Sequence, residues 1–202
     1  MVITIGREFG SGGREIGKRL ADELNISYYD KEIIKQISNN GMFNEQYVES
    51  IIENGLGSGY FYTFGQTFAH MHVVADSTMI DVISEQRKVI NKIASTNCVI
   101  VGRCADVILE DKNVFRIFVY ADEKSKIARC RSRAREGENL TDKEIIKKMK
   151  SIDNGRKKLH SILSSSTWGD KMGYDLMVNT SGVEIKKIVP IIANYIRNYF
   201  NK

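Results

Sequence analysis

The sequence predicts a three-layer α/β/α fold built on a five-stranded parallel sheet. Short apolar runs of strand type alternate along the chain with amphipathic segments at helical spacing. Several of those runs are apolar throughout rather than alternately polar, as strands covered on both faces require. The length, 202 residues, is the upper end of one ordinary domain, enough for a sizeable core and too short for two full domains.

Val2-Ile-Thr-Ile5 is β-branched and ends in the turn Gly6-Arg-Glu-Phe-Gly-Ser-Gly-Gly13, after which Ile16, Leu20, Ala21 and Leu24 recur at helical spacing. Ile26-Ser-Tyr-Tyr29 reads as a second strand closed by Asp30, and Ile33, Ile34 and Ile37 mark one face of the next helix. Residues 41 to 76, with Gly55-Leu-Gly-Ser-Gly59 and the aromatic cluster Tyr60 to Phe64, read as a flap or insertion. A long amphipathic helix spans Ser77 to Ala94, followed by the buried-type strand Cys98-Val-Ile-Val101, which ends at Gly102-Arg103. Val114-Phe-Arg-Ile-Phe-Val119 is the fourth strand, leading to an Arg-rich helix from about Glu123 to Glu136, and Asp175-Leu-Met-Val178 is the fifth. Residues 183 to 200 have helical spacing at Ile185, Ile188, Val189, Ile192 and Ile196, with a kink or break expected at Pro190.

A composition of 42% hydrophobic and 27% charged residues, with one Pro beside 16 Gly, excludes disordered, collagenous and Pro-rich classes. No apolar stretch approaches the roughly 20 residues that cross a bilayer, and the first residues lack a signal-peptide pattern, so the reading is a soluble cytoplasmic protein without a membrane partner. Three cysteines, Cys98, Cys104 and Cys130, fit neither a disulfide framework nor paired zinc ligands and read as reduced thiols, Cys98 in the core. The net charge of +5 is modest for a nucleic-acid binder and suits an anionic small molecule.

In such a sheet ligands sit beyond the carboxyl ends of the strands, where Gly10-Ser-Gly-Gly13 falls. Successive glycines allow positive φ and turn N–H groups inward as an anion nest, and the helix behind adds the positive end of its dipole. The natural guest is a phosphate chain. Two motifs compete for these residues. The dinucleotide fingerprint fits Gly10 and Gly12 but meets Glu15 in place of its third Gly, with Asp30 about twenty residues on. The P-loop signature meets Arg7 in place of its first Gly and Gly13-Arg14 in place of the Lys-Ser/Thr pair.

Ile5 to Gly17, Tyr28-Tyr-Asp-Lys-Glu32, Val99-Ile-Val-Gly-Arg-Cys-Ala-Asp106 and Tyr174-Asp-Leu-Met-Val-Asn-Thr-Ser181 resemble the cytidylate kinase-like family over nearly the whole chain. The resemblance implies a P-loop NTPase fold with a helical lid, residues 1–202 as one domain with lid and acceptor-side helices over about 123–160, and ATP with Mg²⁺ as cofactors. It also implies phosphoryl transfer to a small acceptor without fixing which; a CMP-like nucleoside monophosphate is the expected one. The loop residues Gly10, Ser11, Gly12, Gly13, Arg14 and Glu15 are then the nucleotide site. The Lys that lies along the transferred phosphoryl group in P-loop kinases is missing, and Arg14 is the nearest cation in sequence. Ser11 or Glu15 is the candidate oxygen ligand for Mg²⁺, the Ser/Thr of the signature being absent.

By the same resemblance Arg103, Asp153 and Arg156 serve the acceptor, and the lid arginines close over transferring phosphates. At 100° per residue Arg129 and Arg133 share one helical face and Arg131 and Arg135 the other, so the first pair is expected to face the ligand and the second to be solvated. Asp30 either orients the acceptor or caps the helix at Lys31. Trp168 reads as a packing anchor, and His70, His72 and His160 as solvated or internally satisfied, with no metal cluster around them. Two other readings remain: a non-catalytic nucleotide-binding module, suggested by the missing Lys, and a nucleic-acid binder using Lys147, Lys148, Lys150, Arg156 and Lys157.

Overall fold

The computed structural model describes residues 1–54, 77–134 and 140–201. Strands β1 (Val2–Arg7), β2 (Ser27–Tyr29), β3 (Cys98–Val101), β4 (Phe115–Tyr120) and β5 (Leu176–Asn179) form one sheet in the order β2-β3-β1-β4-β5, every neighbour parallel. All five expected runs are strands. The chain builds outward from β1 to β2, returns to β3, then crosses to β4 on the other side of β1. That reversal opens a crevice beyond the carboxyl end of the central strand.

Helices α1 (Gly13–Leu24) and α8 (Ile185–Phe200) cover one face, where Ile16, Leu20, Val189 and Ile196 meet Ile3, Ile5, Ile117 and Val119. The other face carries α2 (Glu32–Gly41), α3 (Glu45–Asn54), α4 (Ser77–Ile93), the short α5 (Ala105–Ile108) and α7 (Asp142–Leu163). There Ile33, Ile37, Val48, Ile90 and Leu159 enclose Val2, Cys98 and Ile100. These two apolar layers drive assembly, at roughly 25 cal/mol per Å² of apolar surface removed from water. Helix α6 (Glu123–Ser132) buries no residue and sits at the rim. Among the described residues no helix is long and apolar enough to cross a membrane.

Three expectations are corrected. Residues 45–54, assigned to a flap, form α3, with Val48, Ile51 and Ile52 buried against the core; residues 55–76, including His70 and His72, lie outside the described residues. The Arg-rich helix stops at Ser132, and Arg135 also lies outside them. Pro190 does not break α8, which continues from Ile185 to Phe200. The proline is on the exposed face, where solvent can meet the freed Lys186 carbonyl while the opposite face stays packed.

Candidate functional site

The glycine loop joins β1 to α1 at the crevice. Gly12 is the N-cap of α1 at φ 86°, a left-handed conformation that favours glycine, and no side chain caps the helix. The first-turn N–H groups have no carbonyl within the helix and point outward, with the positive end of the dipole behind them. They face a cavity of about 260 Å³ lined by Gly10, Gly12, Gly13 and Arg14 from the loop and helix, and by Arg129, Arg131 and Arg133 from α6 and its end. Ile145, Lys148 and Arg156 close it from α7.

Three distant segments hold the loop in shape. The Thr180 hydroxyl donates to the Ser11 carbonyl at 2.6 Å, the Phe9 N–H donates to Asp153 Oδ1 at 2.8 Å, and Lys126 Nζ lies 2.9 Å from a Glu8 carboxylate oxygen. Arg129 donates to the carbonyls of Gly10 and Thr180, so the lid helix grips both the loop and the turn after β5. Burial, then the neighbouring Arg133 charge, lowers the Arg129 pKa. Arg133 reaches Glu15 at 2.5 Å. Arg131 is paired with Asp142 at 2.7 Å instead of being merely solvated.

Just past the carboxyl end of β2, Asp30, 4% exposed, is the centre of an arginine cluster. Arg14 Nε is 2.5 Å from one carboxylate oxygen and Arg14 Nη2 donates to the other at 3.3 Å; Arg103 approaches at 3.9 Å and Arg7 at 4.0 Å. Asp30 does not cap the following helix, whose N-cap is Lys31 with no side-chain bond. Arg103 is a buried residue held at φ 59°, its carbonyl accepting from Gln86 Nε2 at 2.6 Å. A non-glycine residue at positive φ costs about 1 to 3 kcal/mol and persists where the surroundings impose it, which is a signature of functional turns. Arg103 and Arg156 line a small cavity of about 20 Å³ together with Arg7, Asp106 and Trp168.

Helix α7 continues through Gly155, so Asp153 and Arg156 share a face and meet at 3.1 Å. Arg156 also donates to the Arg7 carbonyl at 3.1 Å. Burial outweighs the Arg156 charge and the Phe9 N–H bond and holds the Asp153 carboxyl above the usual aspartate range. Trp168 packs edge-on against Phe118 at 5.0 Å, in keeping with an anchor. His160 is not solvated: it is 2% exposed, with Nε2 3.9 Å from Asp106 Oδ2 and Nδ1 without a hydrogen-bond partner among the described residues. Tyr174 donates to the same Asp106 oxygen at 3.0 Å.

The structure thus gathers Gly10, Gly12, Gly13, Arg14, Arg129 and Arg133 around one cavity, and Arg103 and Arg156 around the next. Ser11 and Glu15 do not line the first. The Ser11 hydroxyl is buried and donates to the Glu8 carbonyl at 2.8 Å, and Glu15 is matched by Arg19 at 2.9 Å and by Arg133. Neither presents an oxygen suited to Mg²⁺, and the described residues contain no group of three or more metal-ligating side chains. Both expected magnesium ligands are thus engaged with protein partners, while the Glu8 carboxylate, held by Lys126, is the loop oxygen group that lines the cavity. Sequence reasoning missed Arg7, Thr180 and Asp106. Arg7 carried a signal, a charge where the loop motif has glycine.

A parallel sheet in this order, with a glycine loop feeding a helix N-terminus beyond the central strand, is a P-loop-type α/β fold. The chain belongs to the cytidylate kinase-like family, whose model matches residues 2–182. No curated protein matches it. Among solved structures it is similar to an uncharacterized protein from Eubacterium ventriosum, at 29% identity over 98% of both chains with a TM-score of 0.68. Two shikimate kinases share its fold. One from Bacteroides thetaiotaomicron is 14% identical over 98% of both chains, TM-score 0.56. The other, from Acinetobacter baumannii in complex with shikimate, is 12% identical over 100% of this chain and 94% of that one, TM-score 0.53.

Proposed function

We propose that this protein transfers the γ-phosphoryl group of ATP to a small acceptor of nucleoside monophosphate type, CMP or dCMP being the first candidates. The observation that carries the reading is a cavity of about 260 Å³ beyond the sheet, beside a cleft of about 20 Å³ with room for about one water. One is lined by the open N-terminus of α1 and the lid arginines, and the other by Arg103 and Arg156. In this reading Gly10, Gly12 and Gly13 hold the phosphate chain through backbone N–H groups, and Arg14, Arg129 and Arg133 offset charge that shifts during transfer. Ser11 shapes the loop from beneath, and Glu15 holds Arg133 in place.

The acceptor is oriented by Arg103 and Arg156, with Asp153 bracing Arg156. Asp30 keeps the arginine cluster fixed. The bond from the γ-phosphorus to its bridging oxygen breaks as the acceptor oxygen bonds to phosphorus, and ADP leaves. Magnesium arrives with the nucleotide phosphates, and no step is assigned to a protein-bound metal. Catalysis rests on positioning and electrostatics, without a covalent enzyme intermediate.

The test is an ATP-consumption screen over nucleoside monophosphates and other small phosphate or hydroxyl acceptors. ADP formation dependent on one of them is the expected result. Nucleotide binding without turnover on any acceptor would replace this reading with a regulatory nucleotide-binding module.

A further inference from the structure

We infer that Arg7 supplies the cation that the glycine loop lacks, its guanidinium lying against the phosphoryl group as it crosses from donor to acceptor. The inference rests on the kinase reading above and gives a role to the residue that stands where the loop motif has its first glycine.

The sheet register places it there. Ile5 is the last β1 residue paired with β3, opposite Val101, whereas pairing with β4 continues to Arg7, opposite Val119. On the β3 side Arg7 therefore extends beyond the sheet into the crevice. Its side chain starts on the α1 face with Ile3 and Ile5 and passes beneath the first residue of α1. A Cβ on Gly13 would come within 2.5 Å of Arg7 Cβ, and a Cβ on Gly102 would overlap its guanidinium. Two glycines from separate segments leave the space this side chain occupies. Gly102 also holds φ 72°, so the clearance and the turn are met by the same residue.

Arg7 lines both the glycine-loop cavity and the small cavity beside Arg103, as does Arg156, which is bonded to the Arg7 carbonyl. Arg7 and Arg156 are thus the wall that the two cavities have in common. Arg7 is also the more strongly fixed charge: its side chain is 8% exposed, against 49% for Arg14 and 50% for Arg133. A charge held in a desolvated site acts with less dielectric screening and needs no reorganisation as the reaction proceeds. The planar fork can span two oxygens of the transferring group, which a lysine ammonium cannot do bidentately. Arg7 forms no bond and takes no proton in the step; it offsets charge on oxygens while one P–O bond breaks and another forms.

The test compares the parent with Arg7→Met and Arg7→Lys, checking folding by circular dichroism. Calorimetry measures the affinity for ADP with and without aluminium fluoride in the presence of the acceptor that the screen identifies, and single-turnover rates are measured on that acceptor. The expected result is ADP binding within about threefold of the parent for Arg7→Met, with at least about tenfold less tightening by aluminium fluoride and a parallel loss of rate. Added guanidinium ion should restore part of that rate. Equal tightening in parent and Arg7→Met, or equal loss of ADP binding and of rate, overturns the inference while leaving the kinase reading intact. A parent that uses no acceptor and gains nothing from aluminium fluoride overturns the kinase reading, and this inference with it. Should Arg7→Met not fold, Arg7→Lys decides: a rate lowered about tenfold with ADP affinity retained supports the role, and an unchanged rate removes it.

Discussion

Thr180 and Ser11 are 169 positions apart in sequence and share a buried hydrogen bond of 2.6 Å, hydroxyl to carbonyl. The turn after β5 thereby fixes the glycine loop from beneath, on the side opposite the cavity. Thr180→Val keeps the shape and removes the donor, leaving the Ser11 carbonyl buried and unmatched. A loss of about 1 to 3 kcal/mol in folding stability is expected, together with weaker ADP binding. Urea denaturation and calorimetry check the two effects, and an unchanged ADP affinity would show that the loop keeps its shape without this bond.

Arg103→Ala should lower kcat/KM for the acceptor by roughly tenfold to a hundredfold, equivalent to about 1.5 to 3 kcal/mol, while ATP affinity stays within about twofold. Arg156→Ala should cost acceptor use as much and reduce nucleotide affinity as well, since Arg156 lines both cavities. Steady-state kinetics with each substrate varied in turn separates the two. Matching ATP losses in both variants would contradict the assignment of the halves.

Removal of the Arg14 guanidinium should slow single turnover more than it weakens ground-state ATP binding, because the loop N–H groups already hold the phosphates. The bidentate contact to Asp30 adds a second consequence: with its tightest partner gone, Asp30 relaxes and acceptor affinity falls too. Rates for Arg14→Ala, Arg129→Ala and Arg133→Ala on one acceptor rank the three charges. An Arg14→Ala rate within about threefold of the parent would assign transfer to the other cations.

Asp153 predicts a pH dependence. Its carboxyl is raised by burial above the ordinary 3.8, so the folded chain keeps a proton at pH values where the unfolded chain has released it. The contribution of this group to stability is therefore greatest below 3.8 and falls as pH rises through the raised folded value. Asp153→Asn, whose side-chain oxygen can still accept from the Phe9 N–H, should flatten that part of the profile. Urea midpoints from acid to neutral pH measure it, and parallel profiles for parent and variant would refute the assignment.

The strands were legible because runs such as Cys98–Val101 are apolar at every position, a pattern that only a doubly covered strand needs. Val48, Ile51 and Ile52 also carried helical spacing, but the glycines and aromatics that follow made the whole segment look like an insertion. The loop glycines were legible because phosphate recognition is local, set by backbone conformation within a few residues. Arg7 and His160 were not. Their burial depends on Gly13, Gly102 and Asp106 arriving from other parts of the chain, which no local pattern records. Asp30 gave an ambiguous local signal, a cap or a ligand group, and the three guanidiniums that resolve its surroundings come from three separate segments.

Helix α7 spans 22 residues, roughly 33 Å as a continuous rod. Its first turns present Ile145 and Lys148 to the phosphate cavity, its middle bears Asp153 and Arg156, and its last turn sets His160 beside Asp106. Under the proposed function this rod borders both substrates, and a shift of it on binding one alters the walls of the other's site. Occupancy of either site is thus expected to change affinity at the other, by the same factor in both directions as linkage requires.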